Sequence, residues 1–336
     1  MRLLSLGSGM KRRELITLVG LVLAGVPLAA QAEPIRHLGV LMSTKQDDPV
    51  AQSRVAAFRE RLKQLGWSEG RNLVIEWRWS GGDIERTREY AEELVRLAPD
   101  VLLSTGTPAT AALKNATSTI PIVFAVVNDP VAQGFIPSMA HPGGNITGFS
   151  FLEYSMVGKS LEMLKQIAPK TSRVALMFNP DTYPYYEIHL KSFETVARQL
   201  GLDLRAAPAR SPTEIDEVIA RLGKEGGSAL LITPDPFMLV HRAAVIHATA
   251  QHRVPASYSY RQNVEEGGLM SYGADAADIF FRSASYIDRI LKGAAPGNLP
   301  AQAPVKFEIA FNVKTAKAVG LEIPPSLLAL ADEVLE

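Results

Sequence analysis

Small polar residues follow two predicted strands in the first half of the chain. Ser43 comes directly after the first predicted strand, and the segment 104–107 (Ser-Thr-Gly-Thr) closes a later one. Pro108 then begins a predicted helix, whose free amides and dipole favour an anion at its start. Thr107 is equally well placed to cap this helix, and the two roles are compatible. The pattern predicts a cradle for a carboxylate made by Ser43, Thr105, Gly106 and Thr107.

Acidic and aromatic residues come at the ends of other predicted strands. Asp129 ends a strand in the first half, and Asn179 and Asp235 take similar places in the second half. A carboxylate at such a position can pair with a ligand ammonium, or it can close an Asx turn or cap a helix. Aromatic rings beside them can stack on a ligand or pack between domains. These rings are Tyr183, Phe237 and Tyr258. The whole set favours a zwitterion such as an amino acid over a sugar or a phosphate.

The sequence lacks the usual signatures of catalysis. It has no cysteine, which excludes disulfides, thiolate metal sites and cysteine nucleophiles. It contains neither a nucleophile elbow nor a P-loop, and the glycine-rich segment 143–148 indicates a turn leading into a hinge. His241, His247 and His252 share one predicted helix, but their spacings miss the i, i+4 pairing of a helical zinc site. We therefore expect no enzyme activity, no cofactor and no metal.

The elements that would position these residues occur twice in the same order. Short apolar runs alternate with amphipathic segments, which is the pattern of a parallel sheet flanked by helices. The residues that end the helices also recur, because Leu-Gly at 65–66 corresponds to Leu-Gly at 200–201. We expect an α/β fold with two doubly wound Rossmann-like lobes, and a single long sheet is the alternative. In such sheets ligands bind beyond the carboxyl ends of the strands.

The final stretch is too short for a third doubly wound unit, so we expect it to complete the two lobes by crossing between them. The first lobe is predicted to span 33–148 plus about 274–305, and the second 149–273 plus about 306–336. Candidate crossings are 148–152, 273–276 and 307–312.

The N-terminal segment 1–32 has the three parts of a secretory signal. The basic patch Lys11-Arg12-Arg13 precedes an apolar run at 15–28, and Ala30-Gln31-Ala32 offers a cleavage site. An uncleaved anchor is the alternative, and the arginine pair leaves both twin-arginine and Sec export open. Translation can start at Met1 or at Met10. Thirty-five basic residues balance thirty-five acidic ones, so no global field favours nucleic acid. We expect a periplasmic protein.

From about Ile35 onward the chain resembles the ABC-transporter substrate-binding proteins of the type assigned to tryptophan and tyrosine uptake. The matching segments occur in order along nearly the whole chain after the signal. They are Leu65-Gly66-Trp67-Ser68-Glu69-Gly70-Arg71-Asn72, Ile75-Glu76-Trp77-Arg78-Trp79, Ser118-Thr119-Ile120-Pro121-Ile122-Val123-Phe124, Asn128-Asp129-Pro130-Val131, the segment 142–148, Gly267-Gly268-Leu269-Met270-Ser271-Tyr272-Gly273, and the tail segments 314–321 and 323–328.

The resemblance implies the periplasmic binding protein type 1 fold, a ligand cleft between two lobes, and delivery of a small molecule to an ABC permease and its ATPase in the inner membrane. It also implies that the loop 104–107, Asp129 and Asp235 lie near the ligand. The segments 105–107 and 258–261 depart from the family pattern. We expect a monomer in which solute binds first to the loop 105–107 and closure brings Asp235 and Tyr258 over it.

Other functions remain open on this scaffold. The same clamp can report its ligand to a membrane kinase or chemoreceptor instead of feeding a permease. A regulator of the sugar-repressor kind would need an N-terminal helix-turn-helix where this chain has its signal segment. A periplasmic enzyme is a further alternative, because one fold can carry different functions.

Overall fold

Two separate β-sheets organise residues 34–336, the part of the chain that the computed structural model describes. The predicted signal segment 1–32 lies outside these residues. Within the described part, no helix is both long enough and apolar enough to cross a membrane. The presence of two sheets confirms the prediction of two doubly wound lobes, and the alternative of a single long sheet is wrong.

The first lobe is built on a five-stranded parallel sheet with the strand order β2-β1-β3-β4-β5. Its strands are β1 (Arg36–Met42), β2 (Leu73–Trp79), β3 (Val101–Thr105), β4 (Ile122–Asn128) and β5 (Ile146–Leu152). Every position of β3 and β4 is buried, as expected for central strands covered by helices on both faces. The helices are α1 (Pro49–Gln64), α2 (Ile84–Arg96), α3 (Thr107–Ala116) and, from later in the chain, α10 (Ala276–Leu291) with the 3₁₀ turn Pro296–Asn298.

The second lobe has a seven-stranded sheet with the order β12-β11-β10-β9-β8-β6-β7, in which only β10 and β11 pair antiparallel. Its strands are β6 (Arg173–Phe178), β7 (Asp203–Pro208), β8 (Ser228–Ile232), β9 (Ala256–Tyr258), β10 (Met270–Ala274), β11 (Phe307–Asn312) and β12 (Glu333–Leu335). The helices are α4 (Tyr154–Ile167), α5 (Tyr186–Gln199), α6 (Pro212–Glu225), α7 (Pro236–Val240), α8 (Arg242–Gln251), α9 (Arg261–Glu265), α11 (Val313–Ala318) and α12 (Pro325–Leu328). The helix expected to carry all three histidines is broken at His241, whose ψ of 20° is not helical.

The chain crosses between the lobes three times. The first crossing follows Leu152, because β5 belongs to the first sheet, and the predicted boundary at 148 therefore falls inside this strand. The second crossing lies at Asp275, between β10 and α10, and the third lies at Lys306, just before β11. The last two are joined, since the Asp275 amide donates to the Lys306 carbonyl at 3.0 Å and the Lys306 ammonium lies 2.7 Å from Asp275 Oδ2. The second and third crossings therefore run side by side.

Replacing Gly273 with alanine is expected to destabilise the protein, because β10 passes very close to the segment after β9. A Cβ at Gly273 would lie 1.9 Å from the Ser259 carbonyl oxygen, so the backbone would have to move. Overpacking of this kind costs about 1–3 kcal/mol of unfolding free energy. Urea unfolding measures the loss, and Gly144→Ala is the control because a Cβ there has no neighbour within 4 Å. Equal stability of the two variants would contradict the close approach.

Candidate functional site

The two lobes meet where the strands of both sheets end. The Asn128 side-chain amide, at the end of β4, donates to the Pro234 carbonyl in the second lobe at 3.0 Å. Gly106, after β3, faces Pro236, since a Cβ built on Gly106 would lie 3.3 Å from Pro236 Cγ. The loops after β3 and β8 are therefore in direct contact, with the carboxyl ends of both sheets turned toward each other.

Ser43 and Thr105 link the ends of the neighbouring strands β1 and β3. The Ser43 amide donates to Thr105 Oγ1 at 3.1 Å, and the Ser43 hydroxyl donates to the Thr105 carbonyl at 2.5 Å. Both residues are buried. The structure thus brings together two residues of the predicted carboxylate cradle, with Gly106 directly beside them.

The expected capping role of Thr107 is wrong. Helix α3 begins at Thr107 itself, and the N-cap is Gly106, whose φ of +79° suits glycine. The Thr107 hydroxyl instead accepts a hydrogen bond from the Gln133 side-chain amide at 3.2 Å. Thr107 is therefore turned away from the cradle toward the loop that follows β4.

A cavity of about 30 Å³ lies between the lobes beside the cradle. Its walls are Met42, Ser43, Thr44, Arg54, Thr105, Gly106, Val126, Pro234, Pro236, Leu239, Tyr260 and Phe280. Val126 lies at an irregularity in the pairing of β4 with β5. Its φ of +58° is a strained backbone conformation for a β-branched residue, and such strain is concentrated at functional sites. A space of this size holds about one water molecule. A larger solute therefore requires the lobes to separate before it can enter.

Arg54 is the only cavity wall residue with a charged side chain, and it is almost completely buried, with 4% of its surface exposed. Its Nε and Nη2 atoms make no hydrogen bond with any described residue, and its guanidinium lies 4.8 Å from the centre of the Tyr260 ring. Burial lowers the pKa of Arg54, which nearby Tyr260 and Asp48 oppose. A buried guanidinium with unused donors is costly unless an anion pairs with it, and its fork geometry matches a carboxylate. The Thr44 hydroxyl beside it is also buried and makes no hydrogen bond among the described residues.

Asp235 and Asn179 come together within the second lobe. Asp235 Oδ1 accepts hydrogen bonds from the Thr182 hydroxyl at 2.5 Å and the Phe237 amide at 2.8 Å. Its Oδ2 accepts a hydrogen bond from the Asn179 backbone amide at 2.7 Å. Burial raises the pKa of Asp235 to about 6, although these hydrogen bonds oppose the shift. In this arrangement the carboxylate holds the loops after β6 and β8 together, and direct contact with a ligand ammonium stays a prediction.

Asp129 and Tyr183 lie on opposite lobes and meet at His189, a residue that sequence reasoning did not select. The Tyr183 hydroxyl is hydrogen-bonded to His189 Nδ1, and His189 Nε2 lies 4.0 Å from Asp129 Oδ2. Burial lowers the pKa of His189, which Asp129 opposes. These three side chains make a second polar contact between the lobes, separate from the cavity around Arg54.

Tyr258 and Phe237 contribute to the second lobe rather than to the cavity wall. The Tyr258 ring is in the apolar core, where its hydroxyl lies 3.0 Å from Thr249 Oγ1. The Phe237 ring packs on His241, with 4.4 Å between ring centres. The aromatic side chain that reaches the cavity from this region is Tyr260, which also contacts Phe151 in the first lobe.

Among the described residues, no group of three or more histidine, aspartate or glutamate side chains is arranged to hold a metal ion. The side chains around the cavity are instead hydroxyls, aromatic rings, aliphatic groups and one guanidinium. This arrangement can bind and enclose a small molecule that has an anionic group.

This chain is similar to known proteins along most of its length. A family model described as ABC transporter substrate binding protein matches residues 43–335. A tyrosine-binding protein of Clostridioides difficile (strain R20291) is 25% identical over 288 residues, which cover 85% of this chain and 81% of that protein.

Solved structures agree with this match. A conserved domain protein of Vibrio cholerae has a TM-score of 0.83 at 27% identity, covering 89% of this chain and 99% of that one. An ABC domain in complex with L-Trp from Streptococcus pneumonia has a TM-score of 0.83 at 23% identity, covering 90% and 100%. These similarities confirm the resemblance noted in the sequence and the type 1 periplasmic binding protein fold. Because the family model spans nearly all of the described residues, this chain belongs to the ABC transporter substrate-binding protein family.

Proposed function

We propose that this protein is an exported receptor that encloses an amino acid, or a similar small carboxylate, between its lobes and delivers it to an ABC importer in the inner membrane. The observation that carries this proposal is the buried Arg54, which lines the cavity and whose Nε and Nη2 atoms have no hydrogen-bond partner among the described residues. A solute carboxylate would supply the missing acceptors. The names of two similar proteins, which bind tyrosine and L-Trp, support an amino acid.

The remaining walls suit the rest of such a solute. Met42, Leu239 and Phe280 give the cavity an apolar side, and Tyr260 offers an aromatic face. The Thr44 hydroxyl and the cradle of Ser43 and Thr105 add polar groups on the first lobe. Specificity in small-molecule sites commonly comes from a few polar groups in a mostly apolar pocket.

In the proposed cycle the lobes open at the three crossings, the solute binds to Arg54 and the cradle on the first lobe, and closure brings the loop 234–236 and Tyr260 over it. Asp235 keeps the second-lobe loop in shape for this contact through its hydrogen bonds to Thr182 and Asn179. The protein acts as a monomer and performs binding and release without bond chemistry.

The first test is a thermal-melt panel on residues 33–336 after bound solute has been removed by reversible unfolding. We expect an amino acid at about 100 times its dissociation constant to add about 2.7 kcal/mol to the unfolding free energy, a rise of several degrees in Tm. The matched amino-acid amide, which lacks the carboxylate, should give no shift. Stabilisation by the amide as strong as by the acid, or only by sugars or purines, would contradict the proposal.

A further inference from the structure

A buried ion pair connects the two lobes beside the cavity. Arg242, the first residue of α8, places Nη1 2.5 Å from Asp48 Oδ2 in the first lobe. Only 12% of the Arg242 side chain and 9% of the Asp48 side chain are exposed. Because the partners belong to different lobes, this contact is made when the lobes come together and lost when they separate. Its burial also shields it from salt.

Asp48 has a second role in the same position. Its Oδ1 accepts hydrogen bonds from the amides of Val50 and Ala51, at 2.8 and 3.3 Å, and so caps the start of α1. Arg54 lies on this helix, less than two turns from the cap. The residue that fixes the start of the helix is therefore the one that Arg242 contacts from the other lobe.

Arg242 is held in place by its own lobe. Its Nε donates to both carboxylate oxygens of Glu266, at 2.8 and 3.0 Å, and its Nη1 also donates to the Leu239 carbonyl at 3.1 Å. Burial would lower the pKa of Arg242, but hydrogen bonds to Glu266 and Asp48 raise it above its usual value. The guanidinium is thus oriented toward the first lobe by contacts that do not depend on closure.

We infer that Arg242 is a positioning residue, which couples closure of the lobes to the placement of the α1 helix and its Arg54. The inference rests on the proposed function, since it gives solute binding a contribution from two residues that do not line the cavity. Closure around a solute forms the Arg242–Asp48 pair, and the pair in turn favours the closed state. Affinity therefore depends on Arg242 without any contact between Arg242 and the solute.

A double-mutant cycle with L-tyrosine as the probe tests this coupling. Arg242→Gln and Asp48→Asn should each raise Kd about tenfold, a typical coupling between sites, and the double variant should be no weaker than either single one. Asparagine keeps the N-cap acceptor, so loss of the helix cap does not confuse the result. Arg173→Gln is the control because its ion pair with Glu225 lies within the second lobe, and it should leave Kd unchanged. Additive effects, or an unchanged Kd in either single variant, would overturn the inference.

A second measurement does not require that L-tyrosine is the solute. The chain has no cysteine, so Glu89→Cys and Lys191→Cys give two unique, exposed labelling sites on α2 and α5, one on each lobe. Spin-label distances in the solute-free protein should shift toward longer values in Arg242→Gln, and an identical distribution would overturn the inference. If the solute proposal fails, the failure is visible separately, because no amino acid in the panel would then raise Tm.

Discussion

Arg54→Met is expected to weaken amino-acid binding at least about 100-fold. Each hydrogen bond between a charged donor and its acceptor contributes about 1.5–3 kcal/mol, and tenfold in Kd corresponds to about 1.4 kcal/mol. A carboxylate that takes both unused donors of Arg54 would lose two such bonds. Isothermal titration of the best amino acid from the melt panel measures the change.

The same substitution should leave the solute-free protein at least as stable as the wild type. A buried guanidinium with two unpaired donors opposes folding, and methionine fills similar space without these donors. A rise or no change in Tm together with the lost affinity separates a binding role from a structural one. Arg59→Met is the matched control on the same helix, because this side chain is 47% exposed and pairs with Glu69. Retention of affinity within about threefold in Arg54→Met would contradict the assignment.

Asp235→Ala is expected to lower the free energy of unfolding by about 3–5 kcal/mol, the range seen when one partner of a buried charged network is removed. The change leaves the Thr182 hydroxyl and the amides of Asn179 and Phe237 buried without their acceptor. Urea unfolding at pH 7 without solute measures the loss. Asp203→Ala is the control, because that carboxylate is 52% exposed beside Arg205 and should contribute under about 0.5 kcal/mol. Similar losses in both variants would contradict the role of Asp235.

The pH dependence of this difference has a definite sign. The pKa of Asp235 is raised from 3.8 to about 6 in the folded protein, so the folded state holds the proton more tightly than the unfolded chain. The stability this gives is complete below about pH 4 and is lost as the pH rises through about 6. The advantage of wild type over Asp235→Ala should therefore shrink by up to about 3 kcal/mol across that window. An advantage that grows with pH would show that burial does not dominate the titration.

The alternation of strands and helices was sufficient to predict two lobes, because the same order of elements occurs twice and each series can build one sheet with helices packed on its faces. It also placed Ser43 and Thr105 together, since parallel neighbours end at the same edge of a sheet. The crossings were predicted less well. The segment 148–152 continues β5 instead of leaving the lobe, and Gly148 within it pairs with Phe124.

Side-chain direction limited the prediction of the site. Arg54 follows Ala51 by three residues and precedes Phe58 by four, so it lies on the buried face of α1, and a charge within an apolar stripe was the available signal. Tyr258 and Tyr260 are both aromatic and two residues apart, yet the strand ends between them and only Tyr260 reaches the cavity. The hydrogen bond from the Thr182 hydroxyl to the Asp235 carboxylate joins residues that are 53 positions apart, and no local sequence pattern reveals such a contact.

The short strand β12 also forms one edge of the second sheet. It covers β11 by pairing Glu333 with Ala310, Val334 with Phe311 and Leu335 with Asn312. A chain shortened before Glu333 would offer the backbone of β11 as a template on which another copy could add a strand. Three residues that include a glutamate, itself bound to Arg261 at 3.2 Å, make a much poorer template. We therefore expect a tag or fusion attached beyond β12 to be tolerated as long as this strand stays paired with β11, because loss of β12 would favour aggregation.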